Sequence, residues 1–209
     1  MADGLRERKK RETRLQISNV ATALFTERGF DNVTVDEVAA AANVSKMTVF
    51  NYFAQKEDLL FDRSDEAPRL LQAALANRGS QPPLAALKAL VHELVEQRHH
   101  LVRLSPAVGT FWRTVAASPA LRAHARKIAA ELEHELGKRL AESVGASTND
   151  PTAQLVATML MGTWRVAYRE GLRKQRAAAF LEIIDRGFAG ATAAARGTTY
   201  TTARPLLKR

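Results

Sequence analysis

The spacing of hydrophobic and polar residues along this chain predicts a protein built from α-helices. In the first thirty residues, apolar side chains recur at helical spacing with polar residues between them, as in an amphipathic helix. We expect this helix to span 8–28 and to end at Gly29, because glycine readily adopts the positive φ that often follows a helix. Beyond residue 63 the same periodicity predicts longer helices at 84–103, 119–143, 152–171 and 177–195. No alternating strand pattern of useful length occurs in the sequence.

Two short helices joined by a tight turn follow the first helix. Thr34 and Glu37 form a capping-box pattern, in which the threonine hydroxyl caps the helix and the glutamate reaches back. Asn43 tolerates a left-handed backbone conformation, which favours a turn there, and Ser45 then caps the next helix. The predicted elements are a helix at 34–41, a turn at 42–44, a helix at 45–53 and a fourth helix from about residue 56 to 61. The first three lengths are typical of a helix-turn-helix, although an ordinary helical hairpin has the same spacing.

The second of these short helices has the composition of a DNA-recognition helix. At about 100° per residue, Val49 and Phe53 share its inner face, while short polar residues point outward near its amino end. A recognition helix needs such groups because it lies in the major groove with that end toward the base edges. A hydroxyl can bond a phosphate or a base, an amide can pair with adenine, and an apolar side chain can contact a thymine methyl. The candidate DNA-contact residues are therefore Ser45, Lys46, Met47, Thr48 and Asn51.

Five motifs follow one another between residues 21 and 60: Phe-x-x-x-Gly-Phe, Thr-Val-x-x-Val-Ala, Val-Ser-x-x-Thr, Tyr-Phe and Lys-Glu-Asp-Leu-Leu. As an ordered set they closely resemble the DNA-binding head of the TetR family of transcriptional regulators. The resemblance implies phosphate contacts from Thr34 and Lys56, and it adds Tyr52 to the recognition-helix contacts. Two positions depart from the residues common in the family. Met47 stands where glycine is common, and Phe50 stands where tyrosine is common and so lacks its hydroxyl.

The resemblance also implies a two-domain, all-α homodimer. A three-helix helix-turn-helix head at 1–63 would bind DNA, and a larger helical domain at 64–195 would bind an effector and dimerise. The last two long helices would form a four-helix interface with their mates. Their apolar stripes are compatible with this role, but a monomer could bury the same stripes in its own core. The stripes comprise Leu155, Val156, Met159, Leu160, Thr163 and Val166 in one helix and Phe180, Ile183, Ile184 and Phe188 in the other.

The layout from Pro83 onward resembles the TetR subgroup described as having an acyl-CoA-like ligand-binding domain. In this region Leu121-Arg-Ala-His-Ala-Arg is followed by a helix rich in Glu, Leu and Ala. The resemblance rests on composition and helix order, and it implies a small-molecule effector that is apolar or acyl-CoA-like. Large aromatic residues are the candidates for lining a pocket, although ordinary core packing is their commoner role. They are Phe111, Trp112, Trp164 and Tyr168.

The formal net charge of +9 lies outside the predicted head. Residues 1–63 hold ten basic and ten acidic residues, whereas 64–209 hold 21 and 12. A basic cluster at the start of the head can touch phosphates, although a solvated first helical turn has the same composition. A sequence-indifferent architectural DNA binder is a separate alternative to a specific regulator. The cluster comprises Arg6, Arg8, Lys9, Lys10, Arg11 and Arg14. Residues 196–209 have little periodicity and no acid, and we expect a disordered tail there.

A histidine-rich run at 92–100 is the basis of an enzyme alternative. His92, Glu96 and either His99 or His100 fall three or four residues apart on one predicted helix face, as metal ligands can. The run narrowly misses the His-Glu-x-x-His zinc pattern, because Glu96 stands where the second histidine belongs. The chain has no cysteine, and it contains no nucleophile elbow, phosphate-binding glycine loop or paired-carboxylate constellation.

Taken together, these features predict a non-enzymatic regulator with no catalytic residues, metal ligands or cofactor. We expect a repressor whose homodimer binds a near-palindromic double-stranded DNA operator and is released by its effector. We expect it in the cytoplasm and without a membrane partner, because charged residues interrupt every apolar run before the roughly 18 residues that a membrane span needs.

Overall fold

The computed structural model describes residues 2–62 and 64–202, and within them it shows nine α-helices, three short 3₁₀ helices and no strand. This confirms the predicted all-α fold. The α-helices are α1 (Ala2–Arg28), α2 (Val35–Ala41), α3 (Lys46–Tyr52), α4 (Glu66–Ala76), α5 (Pro83–Glu96), α6 (Pro106–Ala117), α7 (Pro119–Ser143), α8 (Pro151–Lys174) and α9 (Ala177–Ala194). The 3₁₀ helices span Phe30–Asn32, Lys56–Leu59 and His100–Val102. None of the described helices is both long and apolar enough to cross a membrane.

The chain forms two compact units, which we name unit 1 and unit 2. Unit 1 comprises Met1–Ser64 and Thr110–Arg126, and unit 2 comprises Asp65–Gly109 and Lys127–Arg209. The second segment belongs to unit 1 because Val115 and Leu121 are buried in the same core as α1, α2 and α3. From the sequence alone, residues 110–126 fall in the carboxy-terminal domain predicted at 64–195. No local pattern in them indicates that they pack against the amino-terminal helices.

The core of unit 1 forms from the apolar helix faces that the periodicity predicts. Ile17 and Phe25 of α1 and Val38 of α2 are completely buried. Phe25 meets Phe30 edge to face, with ring centroids 4.9 Å apart, an arrangement that aromatic pairs favour. Burying side chains of this size contributes about 1.5–3 kcal/mol each, which is enough to anchor short helices that would not be stable alone.

The core of unit 2 depends on close packing between α8 and α9. Val156 of α8 and Phe180 and Ile184 of α9 are buried in one hydrophobic cluster. At Gly187 of α9 a Cβ atom would overlap the side chain of Thr163 on α8. The two helices therefore approach one another more closely than a larger residue at position 187 would allow.

The helix predicted at 84–103 is interrupted. Helix α5 ends at Glu96, Arg98 adopts a left-handed φ of 52°, and a 3₁₀ helix begins at His100. The N–H of His99 donates to the carbonyl of Leu94 at 2.8 Å, which is the Schellman arrangement that ends many helices. Because arginine seldom takes a positive φ, the periodicity alone gave no reason to end the helix there.

The last described residues are packed rather than extended. Tyr200 is 2% exposed, and its hydroxyl donates to Asp150 Oδ2 at 2.6 Å. The predicted disorder is therefore wrong for 196–202, where one buried aromatic side chain holds the segment to the amino end of α8. The remainder of the predicted tail, 203–209, lies outside the described residues.

Candidate nucleic-acid interface

Helix α2 begins with the complete capping box that the sequence predicts. The hydroxyl of Thr34 accepts from the N–H of Glu37 at 3.2 Å, and the Glu37 carboxylate accepts from the N–H of Thr34 at 2.8 Å. Arg28, the last residue of α1, donates to the same carboxylate at 2.5 Å. Hydrogen bonding from the Thr34 backbone, followed by that from Arg28, lowers the pKa of Glu37 from 4.5 to about 2. The Thr34 hydroxyl is thus engaged within the protein, so a phosphate would have to share or replace its bonds.

The turn between α2 and α3 is held from both sides. Asn43 has a φ of 54°, as predicted, and the N–H of Val44 donates to the carbonyl of Ala39 at 3.0 Å. The side-chain amide of Gln16, on α1, donates to the carbonyl of Ala42 at 3.0 Å. The first helix therefore fixes the angle at which the chain enters α3.

The amino end of α3 is also capped as predicted. The Ser45 hydroxyl accepts from the N–H of Thr48 at 3.0 Å, and the two hydroxyl oxygens lie 2.8 Å apart. Lys46 Nζ forms an ion pair with Asp36 of α2 at 2.8 Å, with both side chains more than half exposed. Three of the predicted DNA-contact residues thus hold defined positions at one end of the helix.

The predicted inner and outer faces of α3 are confirmed. Val49 and Phe53 are 1% and 2% exposed, whereas Met47 is 69% and Phe50 is 45% exposed. Asn51 is exposed on the outer side with them. A surface that mixes an amide with large apolar side chains can offer both hydrogen bonds and methyl contacts to base edges.

The carboxyl end of α3 is held by a residue whose role the sequence did not reveal. Arg14 donates to the carbonyl of Tyr52 at 2.8 Å, and its guanidinium lies 4.5 Å from the centre of the Phe53 ring. The sequence placed Arg14 in an arm that touches phosphates, but its guanidinium is used internally. Thirty-eight residues separate Arg14 from Tyr52, so no local pattern could indicate the contact.

Lys56 begins a 3₁₀ helix rather than the longer helix that was expected. Its Nζ donates to the carbonyl of Phe30 at 2.6 Å and lies 4.1 Å from the centre of the Phe30 ring. Desolvation by burial lowers the pKa of Lys56. The ammonium is therefore held in a fixed place by the 3₁₀ helix that follows α1, and it has further N–H groups with which to meet a phosphate.

The four aromatic residues proposed for an effector pocket divide between the two units. Phe111 and Trp112 belong to unit 1, where Phe111 meets Phe61 edge to face at 5.7 Å. Trp164 and Tyr168 belong to unit 2, where the Trp164 ring lies 5.4 Å from that of Phe180. Of the two pairs, only Trp164 and Tyr168 therefore belong to an aromatic cluster within unit 2.

Unit 2 also contains an open cavity of about 450 Å³ between α5, α9 and the segment after α9. None of the four aromatic residues is among those that line it. The lining residues include Leu84, Lys88, Asp185, Phe188, Thr192 and Arg196. Its wall combines apolar side chains with one ion pair, between Lys88 and Asp185 at 2.9 Å.

The histidines do not share one helix face as the periodicity predicted. His92 lies on α5 and pairs with Asp185 of α9 at 2.8 Å. Because α5 ends at Glu96, His99 and His100 leave that face, and both direct Nε2 toward the carboxylate of Glu66. The predicted grouping with Glu96 is therefore wrong for a physical reason, the turn at 97–99.

Comparison with known proteins agrees with this architecture. Residues 17–62 match the model of bacterial regulatory proteins of the tetR family, and residues 81–195 match the MftR C-terminal domain. Over 174 residues the chain is 30% identical to the regulator MftR of Mycobacterium tuberculosis, with 80% of this chain and 84% of that protein covered. It is 28% identical over 176 residues to the HTH-type transcriptional regulator TcmR of Streptomyces glaucescens, with 80% and 76% covered.

A solved structure shows the same fold at lower identity. FadR of Thermus thermophilus, a TetR-family transcriptional repressor determined in complex with lauroyl-CoA, superposes with a TM-score of 0.56 at 20% identity. The match covers 94% of this chain and 98% of that one. At this identity the likeness is one of fold.

A capped helix-turn-helix with an exposed recognition face, joined to a larger helical body, defines a class of DNA-binding regulators. This chain belongs to the TetR family of transcriptional regulators. Its body matches the MftR type of carboxy-terminal domain. The relatives are regulators, so the chain is a regulator and not an enzyme.

Proposed function

We propose that this regulator is a repressor that binds a near-palindromic DNA operator as a homodimer and leaves it when a small apolar or acyl-CoA-like effector binds. The observation that supports this most directly is the state of α3. Ser45 caps its amino end, and Arg14 binds a carbonyl at its carboxyl end. A helix held at both ends presents its side chains to base edges with little ordering cost on binding.

The residues of the interface take different roles in this proposal. Thr48 and Asn51 read base edges, with Met47 against a thymine methyl. Ser45 and Tyr52 make the remaining DNA contacts proposed for α3. Thr34, Lys46 and Lys56 meet phosphates, which position the head without carrying sequence information.

Variants of Asn51 and Lys56 separate these roles. Asn51→Ala should relax sequence choice at one position by about 1–3 kcal/mol, because the amide pair with adenine is lost. Lys56→Ala should weaken binding to all sequences alike. It should also reduce by about one the slope of the logarithm of the binding constant against the logarithm of the salt concentration. Lys56→Arg is the matched control because it keeps the charge, and the thermal midpoint of each variant reports loss of the Phe30 contact. Equal, sequence-independent losses for both alanine variants would contradict the assignment.

The homodimer is supported by the outer surface of α8 and α9. Parts of the predicted stripes are buried within the chain, but Leu155 and Val166 of α8 are 57% and 50% exposed. Gly162, which is half-buried, lies between them in the sequence, and Gly190 of α9 is exposed. Small residues beside exposed apolar ones allow a second pair of helices to pack closely. A dimeric helix-turn-helix protein that reads two half-sites needs its recognition helices about 34–36 Å apart.

Charge insertion tests the dimer surface. Leu155→Glu and Val166→Glu should each shift the protein toward monomer in analytical ultracentrifugation, because a carboxylate would be buried at the interface. Met47→Glu is the matched control, since Met47 is an apolar residue at least as exposed as these two and lies on the proposed DNA-reading face. If all three variants sediment as the unaltered protein does, α8 and α9 are not the interface.

The effector class is supported by the apolar character of unit 2 and by the fold shared with a regulator determined in complex with lauroyl-CoA. Trp164 and Tyr168 are the candidate effector contacts within this unit, with Phe111 and Trp112 proposed from the sequence, although none of the four lines the cavity between α5 and α9. Lauroyl-CoA should release the operator complex, whereas coenzyme A without an acyl chain should not. Release by neither compound would remove acyl thioesters from the proposal and leave DNA binding unaffected.

Selection of bound DNA from a random pool tests the repressor itself. A specific regulator should enrich one near-palindromic site and bind it roughly 10³-fold or more tightly than random DNA at physiological salt. An architectural protein would enrich nothing, and its affinity would fall with salt without depending on sequence. The selected site then serves as the probe in every effector and variant measurement.

A further inference from the structure

Among the residues that the structure describes, three potential metal ligands converge in unit 2, where the sequence predicted no metal site. They are Glu66, His99 and His100, and one ligand atom from each lies within 4.8 Å of the others. His99 Nε2 is 3.4 Å from Glu66 Oε1, and His100 Nε2 is 2.5 Å from Glu66 Oε2. We propose that this Glu66–His99–His100 cluster binds a divalent transition metal, with zinc as the best match.

The backbone explains how two adjacent histidines can face one carboxylate. In a continuous helix adjacent side chains would point about 100° apart. Here Arg98 takes a φ of 52° and His99 is extended, with φ −59° and ψ 143°, before the 3₁₀ helix begins at His100. As a result the two imidazole rings lie side by side, with centroids 4.3 Å apart.

The ligand chemistry fits zinc. Two imidazole nitrogens and one carboxylate oxygen form a common protein set for this ion, which leaves a fourth position for water or another small ligand. Zinc–nitrogen and zinc–oxygen bonds of about 2.0–2.2 Å in a tetrahedron place neighbouring ligand atoms roughly 3.3 Å apart. His99 Nε2 is already about this far from Glu66 Oε1, at 3.4 Å. His100 Nε2 lies 2.5 Å from the other oxygen, Oε2, so side-chain rotations must bring both nitrogens to this spacing around one oxygen.

The cluster is neither buried nor fully exposed. The three side chains are 22–30% exposed, so a metal ion can enter and keep one water ligand. Metal binding at His99 Nε2 puts the ring proton on Nδ1, so it replaces the weak hydrogen bond, 3.4 Å long, that Nδ1 accepts from the N–H of Leu101. The competing interpretation is a metal-free clamp in which both imidazoles donate to the carboxylate.

The position of Glu66 suggests what the metal does. Glu66 is the first residue of α4, and α4 is the first helix after the chain leaves unit 1. The histidines belong to the turn that follows α5 and to the 3₁₀ helix after it. A metal ion would therefore fasten the start of α4 to the end of α5, and it would stabilise whichever state of the regulator brings them together.

Zinc titration of the full-length, tag-free protein tests the site. After chelator treatment, calorimetry should show one zinc ion bound per chain, and the thermal midpoint should rise with zinc concentration. Cobalt should give the absorption bands of a tetrahedral site. His99→Gln and His100→Gln should each weaken zinc binding by about tenfold or more, while His134→Gln, an exposed histidine on α7, should not.

The controls distinguish a metal site from a clamp. Glu66→Gln keeps an acceptor for the imidazole N–H groups but loses the anionic ligand, so it should retain the fold by circular dichroism and still lose zinc affinity. Absence of stoichiometric zinc binding, or affinity unchanged in the His99→Gln and His100→Gln variants, would overturn the proposal. Because zinc binding is measured without DNA, its failure is distinguishable from failure of the proposed repressor function.

Discussion

The turns at Asn43 and Arg98 share one hydrogen-bond pattern and differ in the residue at their left-handed position. Asn43 between α2 and α3 has a φ of 54°, and Arg98 after α5 has a φ of 52°. In both turns the N–H of the next residue donates to the carbonyl five residues earlier. Asparagine adopts this conformation readily and arginine does not. The first turn could therefore be predicted, and the second could not.

The difference matters because each turn shapes a proposed site. The Asn43 turn fixes the entry to α3, whose exposed face is the proposed DNA contact. The Arg98 turn takes two histidines off the face of α5 and brings them to Glu66. A residue poorly suited to its backbone conformation often indicates a functional constraint, and the Arg98 turn lies beside the proposed metal site.

Proline at either left-handed position should have the largest effect. Asn43→Pro and Arg98→Pro would fix φ near −65° and remove an N–H that donates to the preceding helix, at a cost of roughly 3 kcal/mol or more each. Chemical denaturation measures the loss. The two variants should differ in function, since Asn43→Pro should abolish DNA binding and Arg98→Pro should abolish zinc binding. If both variants lose the same function, the two turns do not serve separate sites.

Loss of a helix cap should have an intermediate effect. Thr34→Ala removes the cap of α2 that the sequence revealed, and Asp150→Ala removes the cap of α8 that it did not. Each should reduce the free energy of unfolding by about 1 kcal/mol. Asp150→Ala should cause the larger loss of unfolding free energy, because the Asp150 carboxylate also accepts from the hydroxyl of buried Tyr200. Thr34→Ser keeps a hydroxyl cap and should be close to neutral, and equal losses for serine and alanine would show that the hydroxyl is not the cause.

Glycine at the two left-handed positions should have a small effect with an informative sign. Arg98→Gly removes the conformational penalty of a side chain at positive φ, and we expect a gain of about 0.5 kcal/mol after the added unfolded-state entropy is subtracted. Asn43→Gly should change stability by only a few tenths of a kcal/mol, because asparagine already tolerates the conformation. If Asn43→Gly gained more stability than Arg98→Gly, arginine would not be the residue less suited to its left-handed position.

The pH dependence of the thermal stability of this protein should report the contribution of the Glu37 capping box. Since the pKa of Glu37 falls from 4.5 to about 2 on folding, its stabilising contribution is complete above the unfolded value. It is lost as the pH falls through the folded value. The thermal midpoint of the unaltered protein should therefore exceed that of Glu37→Gln at pH 6, and the difference should shrink between pH 4.5 and pH 2. A constant difference would show that the carboxylate charge is not involved.

The sequence predicts what neighbouring residues determine. The caps at Thr34 and Ser45, the turn at Asn43 and the buried face of Val49 and Phe53 all depend on spacings of a few residues. For the same reason the outer face of α3 could be predicted before the structure was known.

Contacts between distant segments could not be predicted in this way. Arg14 reaches Tyr52 across thirty-eight residues, and Tyr200 reaches Asp150 across fifty. Periodicity also continues through a turn whose left-handed residue is an arginine, and so the meeting of Glu66 with His99 and His100 was missed. In each case the missing information is three-dimensional proximity, which one sequence does not contain.

The ion pair between Lys46 and Asp36 has a consequence for how the head meets DNA. An exposed lysine side chain without an ion-pair partner has no anion to give up, and its binding to a phosphate releases condensed cations from the DNA. Lys46 instead carries a counterion of its own, a carboxylate 2.8 Å away on α2. To contact a phosphate it must exchange one anionic partner for another, and Asp36 is then left facing the backbone of the DNA. Asp36 therefore competes with phosphate for Lys46, and this competition should weaken the sequence-independent part of DNA binding without affecting the base contacts proposed for α3.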